Sequence, residues 1–279
     1  MQGIQLFDRL LDVIEYNIVP KTRAEVVTGS KIFGAAVLRK ADLSLQGVEL
    51  LQRKELNGMR ADMDLAREEE CYRSCYYLYG YSHKALRWSK DIQHIRFDIL
   101  TSQYNFKGKS VLDIGCGFGD LNKILKKFSP YRYLGVDLVN EFINEGNVRF
   151  GSDSIRFEHG DFLEKEFNIK IDYAIASGIF NHKFVHCDNY EFIEFVMTKA
   201  FDLVCDGLAF DFLSDKATHQ YEDLFYSSPD EILKMAYKKT KNVILRNDYM
   251  PFDFSIFLFK DDSFSDEDTL FNHYKKRDG

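Results

Sequence analysis

Three glycines, Gly115, Gly117 and Gly119, crowd the end of VLDIGCGFGD at residues 111–120. A loop so bare of side chains lets backbone N–H groups meet a ligand directly. Carboxylates recur around it: Asp113 before the loop, Asp120 after it, Asp137 at the end of YLGVD and Asp161 in FEHGDF. Asp137 follows the loop by about 20 residues, the interval at which an acid accepts from both hydroxyls of a ribose. Asp161 is placed to accept from an adenine amino group, with Phe162 beside the ring. Ser177 ends DYAIAS, and Gly178 after it is expected to open space near a reacting group.

Two ligand classes compete for the loop. A dinucleotide fingerprint, G-x-G-x-x-G, sets a pyrophosphate against a helix N-terminus. Here the third glycine comes one position early and Asp120 follows it. An acid in the first helical turn repels a pyrophosphate, and Asp113 adds a second carboxylate at the strand tip. The loop therefore suits a ligand with a positive end and no phosphate. S-adenosylmethionine, with an ammonium and a sulfonium, has that profile; a nicotinamide-dependent oxidoreductase stays as an alternative.

These residues need a frame to hold them. After Lys109, apolar runs alternate with helical patterns: SVLDI (110–114), YLGVD (133–137), IRFEH (155–159), DYAIAS (172–177), GLAFDFL (207–213), NVILRN (242–247) and FSIFLFK (254–260). Such alternation predicts an α/β fold, a Rossmann-like seven-stranded sheet, mostly parallel and covered on both faces. DYMPFD is too short for a crossover helix, so the last two runs should form an antiparallel hairpin. The acids then fall at successive strand ends. The expected organisation is an accessory helix and hairpin at 1–45, a helical cap or lid at 46–108, the cofactor-binding domain at 109–262 and a tail at 263–279.

On these motifs, roughly residues 88–260 resemble the class I S-adenosylmethionine-dependent methyltransferases. VLDIGCGFGD is similar to that family's first motif, VDL to its acidic second-strand motif, GDF to its adenine-side motif and DYAIASGIF to its strand-four motif. The resemblance implies that Asp113, Gly115 and Gly117, with Cys116 between them, hold the methionine part of the cofactor. It gives the ribose to Asp137 and the neighbouring Leu138, and the adenine to Asp161 and Phe162, with Ser177 near the methyl. WSKDIQHIRF looks like the lead-in helix of bacterial small-molecule members, which implies that Arg96 meets the cofactor carboxylate.

A base is needed only for an acceptor protonated at neutral pH. The candidates are His182 and His186, four apart after strand four, and Asp211 near the end of strand five. No third ligand accompanies the two histidines, so no metal site is expected. Strand four lacks the Asn/Asp-Pro-Pro-aromatic turn that the family uses to flatten an amide or a base amine. That omission and a net charge of -7 argue against nucleic acid as the acceptor and for a small molecule. The aromatic stretches at 72–88 and 219–229 suggest lids over the pocket.

No apolar run reaches the roughly 18 residues of a membrane span, and MQGIQLFDRLLDVIEYN has acids where a signal peptide needs positive charge, so a cytoplasmic location is expected. Five cysteines match no disulfide framework or common zinc spacing. KIFGAAVLRKADLSL, after its leading helix, resembles the opening hairpin of nucleoside and tRNA deaminase-type domains. Their His-x-Glu and Pro-Cys-x-x-Cys motifs do not occur, which implies an accessory element without deaminase chemistry. A catalytically silent module that binds cofactor or a protein partner is the other alternative, and no pattern specifies an oligomeric state.

Overall fold

The computed structural model describes residues 45–89 and 92–261. The expected N-terminal helix, the hairpin segment up to residue 44 and the tail lie outside the described residues. Two units divide the chain, Met1–Gln52 and Arg53–Gly279. In the first, the described residues 45–52 are helical. The sheet and the site described below lie in the second.

Helix α1, Leu45–Tyr79, is followed by α2, Ile92–Leu100. The sheet then begins with β1, Ser110–Ile114, and a short α3, Asn122–Leu125, that runs into a 3-10 turn. Next come β2 (Arg132–Asp137), α4 (Asn140–Phe150), β3 (Ile155–His159) and β4 (Ile171–Ala176). The chain continues through α5 (Asn189–Leu203), β5 (Val204–Leu213), α6 (Pro229–Tyr237), β6 (Val243–Arg246) and β7 (Asp253–Phe259).

The seven strands are ordered β3-β2-β1-β4-β5-β7-β6. The first five pair in parallel, and β7 runs antiparallel between β5 and β6. Alternation along each strand feeds both faces. Leu112 and Ile114 of β1 join a core with α5 and α6, where Ile193, Met197 and Ile232 are fully buried. Val111 points to the other face, into a core with Phe97 and Leu100 of α2 and Leu125 of α3. Each fully buried residue of this size contributes about 1.5–3 kcal/mol, so the sheet is fixed from both sides.

A third cluster lies above the strand tips. Phe118, Val139 and Phe142 pack with Ala85 and Leu86, and Tyr72, Tyr76, Tyr81 and Trp88 lie against them. The aromatic segment at 72–88 is thus the roof of the glycine loop. Its hydroxyls are anchored below, Tyr76 donating to Glu145 at 2.9 Å and Tyr81 to Asp120 at 2.6 Å.

Candidate active site

The strand order changes direction between β1 and β4, where a doubly wound sheet opens its crevice at the carboxyl ends of the strands. A cleft lies there. Asp113, Gly115, Cys116, Gly117, Asp137, Leu138, Asp161, Phe162 and Ser177 all line it, so the structure brings together nine of the residues singled out from sequence. His182 lines it too. Arg96, His186 and Asp211 do not.

Positive φ runs through the glycine loop, +68° at Gly115 and +53° at Gly117. The amides of Gly115 and Cys116 both donate to the Val136 carbonyl, at 2.8 and 3.1 Å, tying the loop to β2. Asp137 ties it again, accepting from Gly117 N at 2.8 Å and Val139 N at 2.9 Å. The nearest neighbour of a side chain at Gly115 is protein: an added Cβ would lie 2.2 Å from Ile179 Cγ2. Gly178 does the same for Trp88, whose Cζ2 would stand 2.9 Å from a Cβ there. The space expected beyond Ser177 is therefore already used by the indole.

Burial controls the acids. It pushes the Asp113 carboxyl up to about 7, although the Tyr133 hydroxyl donates to it at 2.6 Å. It raises Asp137 to about 6 against the two amide hydrogen bonds. Asp161 is raised by burial as well, with Oδ1 accepting from Leu163 N at 2.7 Å. Asp120 stands apart. It is held by Tyr81 and by Lys123 at 2.8 Å and does not line the cleft, so it is no repulsive charge facing a ligand. What disfavours a pyrophosphate is instead the single α-turn of α3, which supplies almost no helix N-terminus, and the strand-tip acids.

Arg96 does not point at the cleft. It is buried in α2 and grips Asp253 of β7 with Nε at 2.5 Å and Nη2 at 2.8 Å, while its guanidinium stacks 4.5 Å from the Trp88 ring. Asp211 is fully buried and holds the β4 exit, accepting from the Ser177 hydroxyl and from Gly178 N at 2.7 Å. Burial raises its carboxyl to about 6, against the pull of the Arg96 charge. Both residues therefore shape the strand-four corner from behind. His186 is exposed; its backbone amide donates to Asp64 at 2.8 Å.

His182 occupies a site that sequence reading left incomplete. Its Nδ1 lies 2.7 Å from Glu68 Oε2, and its Nε2 lies 2.6 Å from the Tyr72 hydroxyl, both residues of α1. Glu68 is raised by burial but lowered further by the neighbouring imidazole and Arg67, leaving it below the usual range. Burial drives the Tyr72 phenol upward, which keeps it protonated. Asp64, one turn earlier and fully buried, accepts from the amides of Val185, His186 and Cys187 at 2.8–3.1 Å. Sequence reading set a cap or lid at 46–108, but a charged helix reads as a solvated face, so nothing in its pattern singled out Glu68 as the partner of His182. Among the described residues, no group of three His, Cys, Asp or Glu could hold a metal ion, and no helix is long and apolar enough to cross a membrane.

Sheet order, glycine loop and acids at successive strand tips are those of the class I S-adenosylmethionine-dependent methyltransferase fold, the fold of an enzyme class whose cofactor is S-adenosylmethionine. Residues 111–196 match the family described as a methyltransferase domain. Solved structures share the fold. One is the putative methyltransferase in complex with the Haloferax volcanii Trm112 activator (14% identity, 67% of this chain and 96% of that chain, TM-score 0.53). Others are DhpI with S-adenosylhomocysteine (17%, 70% and 95%, 0.52) and the pyocyanin biosynthetic protein PhzM (14%, 67% and 61%, 0.52). No curated protein matches the chain by sequence.

Proposed function

We propose that the protein methylates a small-molecule acceptor held beneath α1, with the cofactor laid along the tips of β1, β2 and β3. The residues fit S-adenosylmethionine. Asp113 and Asp137 are enclosed carboxylates facing the cleft, and among the described residues no Lys or Arg lines it, so the cavity favours a cation without phosphate. In this reading the glycine loop and Asp113 hold the methionine part, Asp137 and Leu138 the ribose, and Asp161 with Phe162 the adenine. When bound, the cofactor supplies a methyl group on a sulfonium that is already an activated leaving group.

The protein's own share is alignment and exclusion of water, effects together worth roughly 7–11 kcal/mol. The roof of Tyr72, Leu86 and Trp88 supports that role, since these side chains line the cleft opposite the glycine loop. Of the three candidate bases, His182 is the one positioned to take a proton from an acceptor. Asp211 serves the strand-four corner instead.

The observation that carries the proposal is the convergence of these residues on one enclosed cleft with no cation in its wall. The net charge of -7 further supports a small acceptor over nucleic acid. The test is calorimetry with S-adenosylmethionine and S-adenosylhomocysteine, then incubation of the labelled cofactor with a metabolite extract. Labelled product together with S-adenosylhomocysteine supports methyl transfer. Binding without turnover would make the protein a silent cofactor-binding module, and failure to bind would refute the proposal.

A further inference from the structure

We infer that the acceptor is an amine, cationic at neutral pH and carried on an apolar body; this rests on the methyl-transfer reading above. The charged groups lining the cleft are Glu68, Glu69, Asp113, Asp137 and Asp161, with His182. Three of the acids sit on strand tips. The other two, Glu68 and Glu69, come from α1 on the opposite wall, beside Tyr72 and His182. Arg67 and Arg87 approach Glu68 at 3.1 and 3.7 Å, and Arg73 pairs with Glu69, but none of these arginines lines the cleft. The surface offered to an acceptor is therefore carboxylate, imidazole and phenol over an apolar floor that includes Leu65, Phe142 and Phe184.

That sign selects among nucleophiles. A carboxylate or phosphate acceptor would be desolvated against acids with no cation in the wall to receive it. An alcohol or phenol would have to become an anion beside Glu68 and Glu69 before it attacked. An amine meets the reverse situation: it arrives as an ammonium drawn to the carboxylates, and it leaves as a methylated ammonium held by the same groups.

Only the loss of one proton in between needs assistance. An ammonium N–H can be donated to the Tyr72 oxygen while the Tyr72 hydroxyl proton passes to His182 Nε2, 2.6 Å away. Tyr72 remains a neutral phenol throughout, and Glu68 behind Nδ1 stabilises the imidazolium that forms. The freed nitrogen lone pair then forms the N–CH3 bond, and the electron pair of the broken S–CH3 bond stays on sulfur, leaving S-adenosylhomocysteine. Protons, charge and electrons balance without another reactant.

The test uses the full chain saturated with S-adenosylhomocysteine, so that no turnover occurs, and three probes of one shape and different charge: phenethylamine, phenethyl alcohol and phenylacetate. Calorimetry should show the amine binding about tenfold tighter than the alcohol, with phenylacetate weakest. Glu69→Gln should lower the amine's affinity several-fold more than the alcohol's, and retained S-adenosylhomocysteine binding shows that the variant is folded. The inference is overturned if phenylacetate binds as well as the amine, if the amine binds no tighter than the alcohol, or if Glu69→Gln weakens both equally. Failure of S-adenosylhomocysteine itself to bind would remove the methyl-transfer reading and this inference with it, whereas its binding without amine preference removes the inference alone.

Discussion

Replacing Asp137 with Asn should separate stability from cofactor affinity. The carboxylate accepts from Gly117 N and Val139 N, so the amide that replaces it sets one donor against a backbone N–H and costs about 1–3 kcal/mol. Against this, burial raises the Asp137 carboxyl from 3.8 to about 6. A carboxyl whose folded value is raised favours the folded state through its protonated form, so above about pH 6 the ionised group opposes folding. Solvent at the cleft mouth screens part of that, which leaves roughly 1–3 kcal/mol relieved by Asn. The two contributions nearly cancel, and the melting temperature at pH 7.5 should move by only a few degrees. Below about pH 4, where the carboxyl is protonated in both states, the relief vanishes and the variant should fall behind the parent. Cofactor binding has no such compensation. Hydrogen bonds to a charged acceptor are worth about 1.5–3 kcal/mol, so affinity for S-adenosylmethionine should drop about 10- to 150-fold. Calorimetry for affinity and scanning calorimetry for stability read the two effects separately. Unchanged affinity in a folded variant would refute the ribose role of Asp137.

Four further outcomes are expected. Asp113 and Asp137, raised to about 7 and about 6, must be ionised to attract a cation, so affinity for S-adenosylmethionine should rise between pH 5.5 and 7.5 more than affinity for uncharged-sulfur S-adenosylhomocysteine; parallel pH profiles would count against it. Gly115→Ala forces a Cβ to 2.2 Å from Ile179 at φ +68°, and both melting temperature and cofactor binding should fall, with Ile179→Ala restoring part of the loss. Arg96→Met leaves Asp253 and Asp211 buried without their cation, a cost of about 3–5 kcal/mol by denaturant titration, and adding Asp253→Leu should recover some of it. Lys199 donates to the carbonyls of Leu163 and Lys165 at 2.7 and 2.6 Å, beside Asp161 and Phe162; Lys199→Met should weaken adenosine binding while methionine binding is unmoved.

Strands were legible where an apolar run met a clear stop. SVLDI and IRFEH, bounded by charge and turn residues, have the same limits in sequence and structure. β5 starts three residues earlier than its apolar run, at Val204, because Cys205 and Asp206 interrupt the pattern at the start of the strand. Strand-tip acids were legible for the same reason, each following a short apolar run. The proposed acceptor wall was not. Glu68 and His182 lie 114 positions apart and touch only because Asp64 fastens α1 to the loop after β4. Arg96 looked like a helix charge facing the cofactor, yet its partner Asp253 is 157 residues on, beyond the reach of any periodicity. Asp211 stood out as an acid among phenylalanines, and the structure uses it to brace Ser177 and Gly178.

The placement of β7 inside the sheet has a consequence for how the molecule comes into being. A ribosome delivers β1 to β5 first, and these can pair in turn as they emerge. β6 then has no neighbour until Phe259 has left the exit tunnel, because β7 must slot between it and β5. Asp253 arrives on that same strand, so Arg96 waits with its charge uncovered until its partner, 157 residues on, has been made. Nascent chains halted just short of β7 should consequently display an open hydrophobic flank, making this the interval in which chaperone protection matters most.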